Sequence, residues 1–181
     1  MISRQEHDEA RQATLDLLSK AGIVLTPEEQ ANIEVADAGF GDLKSIGLQA
    51  ITYVNTERVC AKELVLTPWQ CFPQHQHPPV AGEPGKEETF RCRWGEVYLY
   101  VAGEPTPDPK GYPPAGRERY YTAAHEVILR PGEQYTLLPN TLHWFQAGPE
   151  GAIVSEFSTR SRDETDIFTD PDVRRLPEVV D

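Results

Sequence analysis

The 181-residue chain carries 17 basic and 29 acidic side chains, a formal net charge of -12, and 39% of its residues are hydrophobic. This length suits one domain with its own core. Because an acidic surface repels phosphate groups, we expect neither nucleic acid nor a membrane as a partner. The polar start MISRQEHDEARQ does not resemble a secretory signal. Together with an odd count of three cysteines, it favours the reducing cytoplasm.

The first part of the chain predicts two helices. Residues 4–21 repeat apolar side chains at helical spacing, and Gly22 follows as a stop. Thr26 has the character of an N-cap, with Pro27 at the first helical position and acidic residues behind it. We therefore expect a short helical arm over residues 1–40.

From residue 45 onward, the sequence changes to the short alternating runs that are typical of β-strands. Pro and Gly separate these runs, which indicates an all-β sandwich or barrel over residues 45–160, followed by a C-terminal tail at 161–181. The whole chain, 1–181, is then a single domain. The predicted strands cover residues 48–54, 59–66, 97–101, 126–129, 135–138 and 152–158.

Two blocks contain three of the five histidines. His75 and His77 are two positions apart, so in an extended segment their imidazoles point to the same side. Glu88 follows in the same block, and His143 comes after a turn led by Pro139. A lone pair of strand histidines would indicate only half-buried polar residues. The combined order, H-x-H, then E-x6-G, then P-x3-H, instead predicts one site for a divalent metal. A three-imidazole, one-carboxylate set accepts Mn, Fe, Co, Ni or Zn.

The two blocks resemble the two cupin motifs, and this resemblance implies a double-stranded β-helix, or jelly-roll, barrel. Longer segments are similar to the D-lyxose isomerase family of sugar isomerases. They are KAGIVLTPEE, YVNTERVCAKELVL, HQHPPVAGEPGKEETFRCRWGEVYLYV, YTLLPNTLHWFQAG and DIFTDP.

The resemblance implies a Mn(II)-dependent aldose–ketose isomerase that interconverts D-lyxose and D-xylulose, and also D-mannose and D-fructose. It places the metal ligands at His75, His77, Glu88 and His143. The habit of cupins implies a homodimer.

Aldose–ketose isomerisation needs a Lewis acid and groups that move protons, and the sequence offers candidates for both. Lys86 lies two positions before Glu88. If the stretch is extended, both face the site, where we expect a neighbouring cation to lower the pKa of the lysine and make it a proton donor or acceptor. Glu156 lies within an apolar strand, where an acid is costly unless it is used, so it is our candidate for the base. The alternatives are a solvent-facing Lys86 and an outward-facing, ion-paired Glu156.

Sugar contacts are predicted from strand alternation and from the tail. Phe90 shares a face with Glu88, and Phe145 shares a face with His143, so we expect both to line the pocket. Asp166 and Phe168, in the DIFTDP segment, are expected to cap the pocket, with ordinary C-terminal packing as the alternative.

Two other functions use the same ligand set. One is an Fe(II) cupin dioxygenase, which consumes oxygen, and the other is a non-catalytic sugar-binding cupin. Lys86 and Glu156 are the sequence features that favour a redox-neutral isomerase over both.

Overall fold

The computed structural model describes residues 1–175 and 179–180, in which a nine-stranded sheet curls into a barrel. Two helices, α1 (Arg4–Lys20) and α2 (Pro27–Ala31), precede most of the sheet. The described strands are β1 (Ile2–Ser3), β2 (Glu34–Ala36), β3 (Leu48–Asn55), β4 (Cys60–Leu66), β5 (Cys71–Gln76), β6 (Glu88–Val101), β7 (His125–Leu129), β8 (Gln134–Leu137), β9 (His143–Ser158), β10 (Ile167–Phe168) and β11 (Val179–Val180).

Both predicted helices are confirmed, and each begins with a reciprocal cap. The Ser3 hydroxyl accepts a hydrogen bond from the Glu6 backbone amide, and the Glu6 carboxylate accepts one from the Ser3 backbone amide. Thr26 and Glu29 form the same arrangement at the start of α2. Each cap supplies partners to backbone amides that the first helical turn leaves free.

The two longest strands, β6 and β9, form the spine of the barrel. They pair antiparallel along their whole length, from Glu88 opposite Ser158 to Val101 opposite His143. The other edge of β9 pairs with β5 along its first half and with β4 along its second half. Although Glu88 and His143 lie at opposite ends of this ladder, Glu88 Oε1 comes within 3.1 Å of His143 Nε2. The ladder must therefore bend back on itself, and this closure builds the site.

Gly95 lies where the ladder bends. It has a positive φ of 65°, between two register shifts in β6, and a Cβ placed there would lie 1.9 Å from the carbonyl oxygen of Gly151. Only glycine accepts both that φ and so close an approach of two backbones. The glycine that closes the first histidine block is therefore needed for the curvature of the barrel.

The barrel interior and the space beneath the helical arm hold separate apolar clusters. The interior cluster includes Leu99, Phe90 and Phe145. The cluster under the arm joins Leu18 of α1 to Ile51 and Ile153 on the outer face of the sheet. The helices thus cover one outer face and leave the barrel interior to the site. The division into arm, barrel and tail within one domain stays a prediction.

Replacing Leu99 by Ala is expected to lower the free energy of unfolding by about 2–5 kcal/mol, because the truncation leaves a cavity in the interior cluster. Leu99 is fully buried, whereas Val24 is 90% exposed. Val24→Ala, the matched control, is expected to change stability by less than about 0.5 kcal/mol. Chemical denaturation measures both. Equal effects of the two substitutions would contradict the assigned core.

Among the described residues, no helix is long and apolar enough to cross a membrane. Cys60, Cys71 and Cys92 all lie in the described part of the chain and are buried free thiols.

Candidate active site

Three histidines from two adjacent strands meet at one end of the barrel. His75 is directly opposite His143 in the β5–β9 pairing, and His77 follows just beyond β5. One ring nitrogen from each lies within 4.8 Å of the corresponding nitrogens of the other two. All three side chains are buried. The i, i+2 spacing in the first block and the closure of the ladder together produce this cluster.

In two of these histidines, Nδ1 forms a hydrogen bond with a backbone carbonyl oxygen. Nδ1 of His75 lies 2.8 Å from the Pro73 carbonyl oxygen, and Nδ1 of His143 lies 2.9 Å from that of Thr141. Since a carbonyl oxygen only accepts, both Nδ1 atoms must carry the hydrogen, which leaves the Nε2 lone pairs free for an ion.

Burial and the neighbouring His143 and His77 hold the pKa of His75 well below its usual value, so its ring is neutral and able to bind a metal.

Glu88 is anionic and in contact with the cluster. Its Oε1 lies 3.0 Å from His77 Nε2 and 3.1 Å from His143 Nε2. Burial would raise the pKa of Glu88, but Lys86 and His77 outweigh that effect and hold the pKa well below its usual value. Oε2 of Glu88 is 2.7 Å from Lys86 Nζ. The carboxylate therefore links two of the imidazoles, those of His77 and His143, to the lysine.

A divalent cation fits these donors. His143 Nε2 is buried and has no hydrogen-bond partner among the described residues, and its 3.1 Å approach to Glu88 lacks hydrogen-bond geometry. Buried polar atoms without a partner are rare and call for an explanation. An ion held by His75, His77 and His143, with Glu88 beside them, would give this nitrogen a partner and balance the carboxylate charge.

Lys86 and Glu156 form a buried ion pair next to the cluster. The Nζ–Oε1 distance is 2.9 Å, and the side chains are 6% and 4% exposed. The two alternatives of a solvent-facing Lys86 and an outward-facing Glu156 are therefore wrong.

The protein groups around Lys86 act against the lowering of its pKa that we expect from a neighbouring cation. Burial does act in that direction, but the charges of Glu156 and Glu88 prevail and raise the pKa of Lys86. The sequence suggested only the nearby cation, and the structure places two carboxylates against the ammonium group.

The remaining predicted residues differ in their positions. A small cleft beside the histidines is lined by Phe90, Phe145 and Asp166, among others. Phe168 is not among the lining residues, and its ring centroid lies 5.3 Å from that of His75. It therefore packs against a candidate metal ligand, and the expected cap over the pocket is not seen at this residue. Asp166 contacts His77, with 2.6 Å between Oδ1 and Nδ1.

Sequence reasoning missed three charged residues of the same cleft, Lys62, Asp163 and Arg175. Strand alternation could have revealed Lys62, because positions 62, 64 and 66 share the inward face of β4. Asp163 and Arg175 lie in the irregular tail and gave no such signal.

Comparisons with known proteins identify relatives of this chain. A family model described as D-lyxose isomerase matches residues 112–181. The chain is 61% identical over 181 residues to the D-lyxose/D-mannose isomerase of Thermosediminibacter oceani, with all of both chains covered. It is also 61% identical over 172 residues to the D-lyxose ketol-isomerase of Cohnella laeviribosi, covering 95% of this chain and 94% of the relative.

The chain belongs to the D-lyxose isomerase family.

Solved structures of L-ribose isomerases show that the fold of this D-lyxose isomerase family member is shared more widely. The enzyme of Cellulomonas parahominis with L-ribose superposes with a TM-score of 0.83 at 20% identity, covering 99% of this chain and 98% of that one. The enzyme of Acinetobacter sp. DL28 gives the same TM-score at 17% identity, with the same coverage. The mainly β, cupin-type barrel expected from the sequence is confirmed.

In the candidate site of this D-lyxose isomerase family member, Asp166 is expected to act on metal affinity. Asp166→Ala removes the carboxylate that orients His77, and losing such an outer partner weakens metal binding by about 10–100-fold. Titration of the protein with Mn(II), following free ion by electron paramagnetic resonance, measures the change. Asp172→Ala is the matched control, because this acid is on the same tail but pairs with Arg117. Unchanged affinity in Asp166→Ala would contradict the orienting role.

Proposed function

We propose that this protein is a metal-dependent ketol-isomerase that interconverts D-lyxose and D-xylulose, and D-mannose and D-fructose. Family membership supports the reaction class, and the single most informative structural observation is the buried Glu156–Lys86 pair beside the three histidines. A non-catalytic sugar-binding protein has no need for that costly pair.

We propose Mn(II) as the ion, held by His75, His77 and His143 together with Glu88. A bound divalent cation would polarise the sugar carbonyl and stabilise the negative charge that develops on its oxygen. The same donors also suit Fe, Co, Ni and Zn. Activity of the metal-free protein after reloading with each ion separately ranks them, and the proposal expects Mn(II) to restore the largest kcat.

Glu156 is proposed as the base that moves the carbon-bound proton. Its carboxylate removes the proton from C2 of the open-chain aldose, so that a cis-enediol forms, and returns that proton to C1. The Ser158 hydroxyl and the Lys86 ammonium both donate to Oε1, at 3.0 and 2.9 Å, and hold the carboxylate in place. Each proton that leaves the sugar at one carbon is thereby replaced at the other.

Lys86 is proposed to move the hydroxyl proton. Its ammonium donates a proton to O1 as the enediol forms, and the amine that remains takes the proton from the O2 hydroxyl as the ketose forms, so its charge is the same before and after the reaction. Its buried position against Glu88 and Glu156 keeps Nζ at the junction of the metal ligands and the base. Phe90 and Phe145 supply apolar walls that exclude water, with their ring centroids 5.1 Å apart.

The function is tested by incubating the Mn(II)-loaded protein with D-lyxose, and separately with D-mannose, and following the ketoses by NMR. Formation of D-xylulose and D-fructose without oxygen uptake is expected, and chelation of the metal should stop both. Absence of ketose would overturn the proposal, and oxygen uptake would point to the dioxygenase.

Homodimer formation and a cytoplasmic location stay predictions. Light scattering tests the first, with an expected mass of twice the 20.3 kDa chain. The three free buried thiols are consistent with a reducing compartment.

A further inference from the structure

A second charged cluster lies in the wall of the cleft, apart from the three histidines. Lys62 Nζ is 2.7 Å from Asp163 Oδ2 and 3.0 Å from the Ser161 hydroxyl. Arg175 approaches the same oxygen of Asp163 at 2.8 Å. Lys62, Asp163 and Arg175 line the cleft that His75, Glu88 and Glu156 also line, but the proposed proton transfers make no use of them.

The strand register fixes how far this cluster is from the base. Lys62 of β4 is directly opposite Glu156 of β9, and both side chains point into the barrel. Neighbouring strands are about 4.8 Å apart. An open-chain sugar with C1 and C2 at Glu156 has three or four further carbons, which is enough to cross one strand spacing and reach Lys62.

The chemistry of the cluster suits hydroxyl groups. An ammonium has three hydrogens to donate, and Ser161 and Asp163 accept two from Lys62, which leaves one. Asp163 Oδ2 accepts from Lys62 and Arg175 and Oδ1 accepts from the Ser161 hydroxyl, which leaves Oδ1 one lone pair to accept from a sugar hydroxyl. The wall around them is apolar, formed by Leu48, Ala50 and Leu64, so a sugar hydroxyl placed there would lose its hydrogen bonds to water without this cluster.

We propose that Lys62 and Asp163, held in place by Arg175, bind the distal hydroxyl groups of the sugar, O4 or O5, and set its affinity without moving a proton. This inference rests on the proposed function. It makes Lys62 and Asp163 substrate-positioning residues at the end of the cleft opposite the metal ligands.

The competing explanation is that the cluster only ties the C-terminal tail to the barrel. The chain offers a matched control for that role. Arg117 holds the same tail through Asp170, at 3.0 Å, and Asp172, at 2.7 Å, and it does not line the cleft. Loss of Arg117 therefore loosens the tail without touching the proposed subsite.

The test compares Lys62→Met, Asp163→Asn and Arg117→Met in the full-length, Mn(II)-loaded protein. Lys62→Met is expected to raise KM for D-lyxose by roughly 10–100-fold, the effect of losing one or two hydrogen bonds to a charged group. Its kcat should stay within about threefold of wild type, and its Mn(II) affinity should be unchanged. Arg117→Met should leave KM unchanged. If Lys62→Met does not fold, Asp163→Asn decides by the same criteria.

Deoxy sugars test the contact itself. With the wild-type protein, 4-deoxy- or 5-deoxy-D-lyxose should show a higher KM than D-lyxose, and that difference should disappear in Lys62→Met. The proposal is overturned if KM is unchanged in the variants, if Arg117→Met raises KM equally, or if kcat falls while KM does not. Wild-type protein that fails to turn over D-lyxose would instead overturn the proposed function.

Discussion

Replacement of Glu156 by Gln is expected to lower kcat by about 10²–10⁴-fold, the usual contribution of a positioned general base. The amide keeps the size of the carboxylate and still accepts from Lys86 and Ser158, which both contact Oε1. What it lacks is the ability to take a proton from carbon. Mn(II) affinity should be unchanged, because Glu156 contacts the lysine and none of the three histidines. Steady-state kinetics with D-lyxose measures the loss.

Glu63 provides a matched control for this substitution. It is as buried as Glu156, at 3% exposure, and lies one position beyond Lys62 on β4. Its side chain is on the outer face, where it accepts from the Ser155 hydroxyl at 2.7 Å. Glu63→Gln should therefore leave kcat within about twofold. Equal losses in the two variants would show that burial of an acid, and not base catalysis, explains the effect of Glu156.

Replacement of His143 by Ala is expected to abolish turnover together with metal binding. His143 is one of the three histidines of the cluster, so its loss removes one of three nitrogen donors. Its Nε2 is the buried atom that lacks a hydrogen-bond partner among the described residues. Removing an outer partner of a ligand already costs about 10–100-fold in affinity, so loss of the ligand should weaken Mn(II) binding by at least roughly 100-fold. Calorimetric titration with Mn(II) measures this directly.

The control for His143 is His125, which is exposed on β7 and has its Nδ1 3.1 Å from the Glu104 carbonyl oxygen. His125→Ala should bind Mn(II) and turn over sugar as the wild type does. Full activity of His143→Ala would contradict the assigned centre.

Local patterns allowed much of the fold to be predicted. Capping residues and helical spacing placed both helices, and alternation placed the longer strands. The short strands β1, β2, β10 and β11 were missed, because two or three residues are too few to show a period. The early halves of β6 and β9 were predicted only as short extended segments around Glu88 and His143, so their continuity into two long strands was missed.

The candidate site was predictable where side chains follow strand geometry. The spacing of His75 and His77 and the alternation at Phe90 and Glu156 placed those residues correctly on the inner face. The environment of Lys86 was not predictable, because the two carboxylates that surround it arrive through barrel closure and not through sequence spacing. The same holds for Asp163, which lies in the irregular tail and meets Lys62 and Arg175 only in the folded chain.

The proposed proton transfer is tested most directly by incubating the Mn(II)-loaded protein with D-lyxose in D2O and analysing the product by NMR. If Glu156 carries the proton from C2 to C1, part of its acid form exchanges with solvent before the proton reaches C1. The mechanism therefore predicts D-xylulose with partial deuterium at C1, and loss of both product and label in Glu156→Gln. Formation of D-xylulose by Glu156→Gln at the wild-type rate would contradict proton transfer through Glu156.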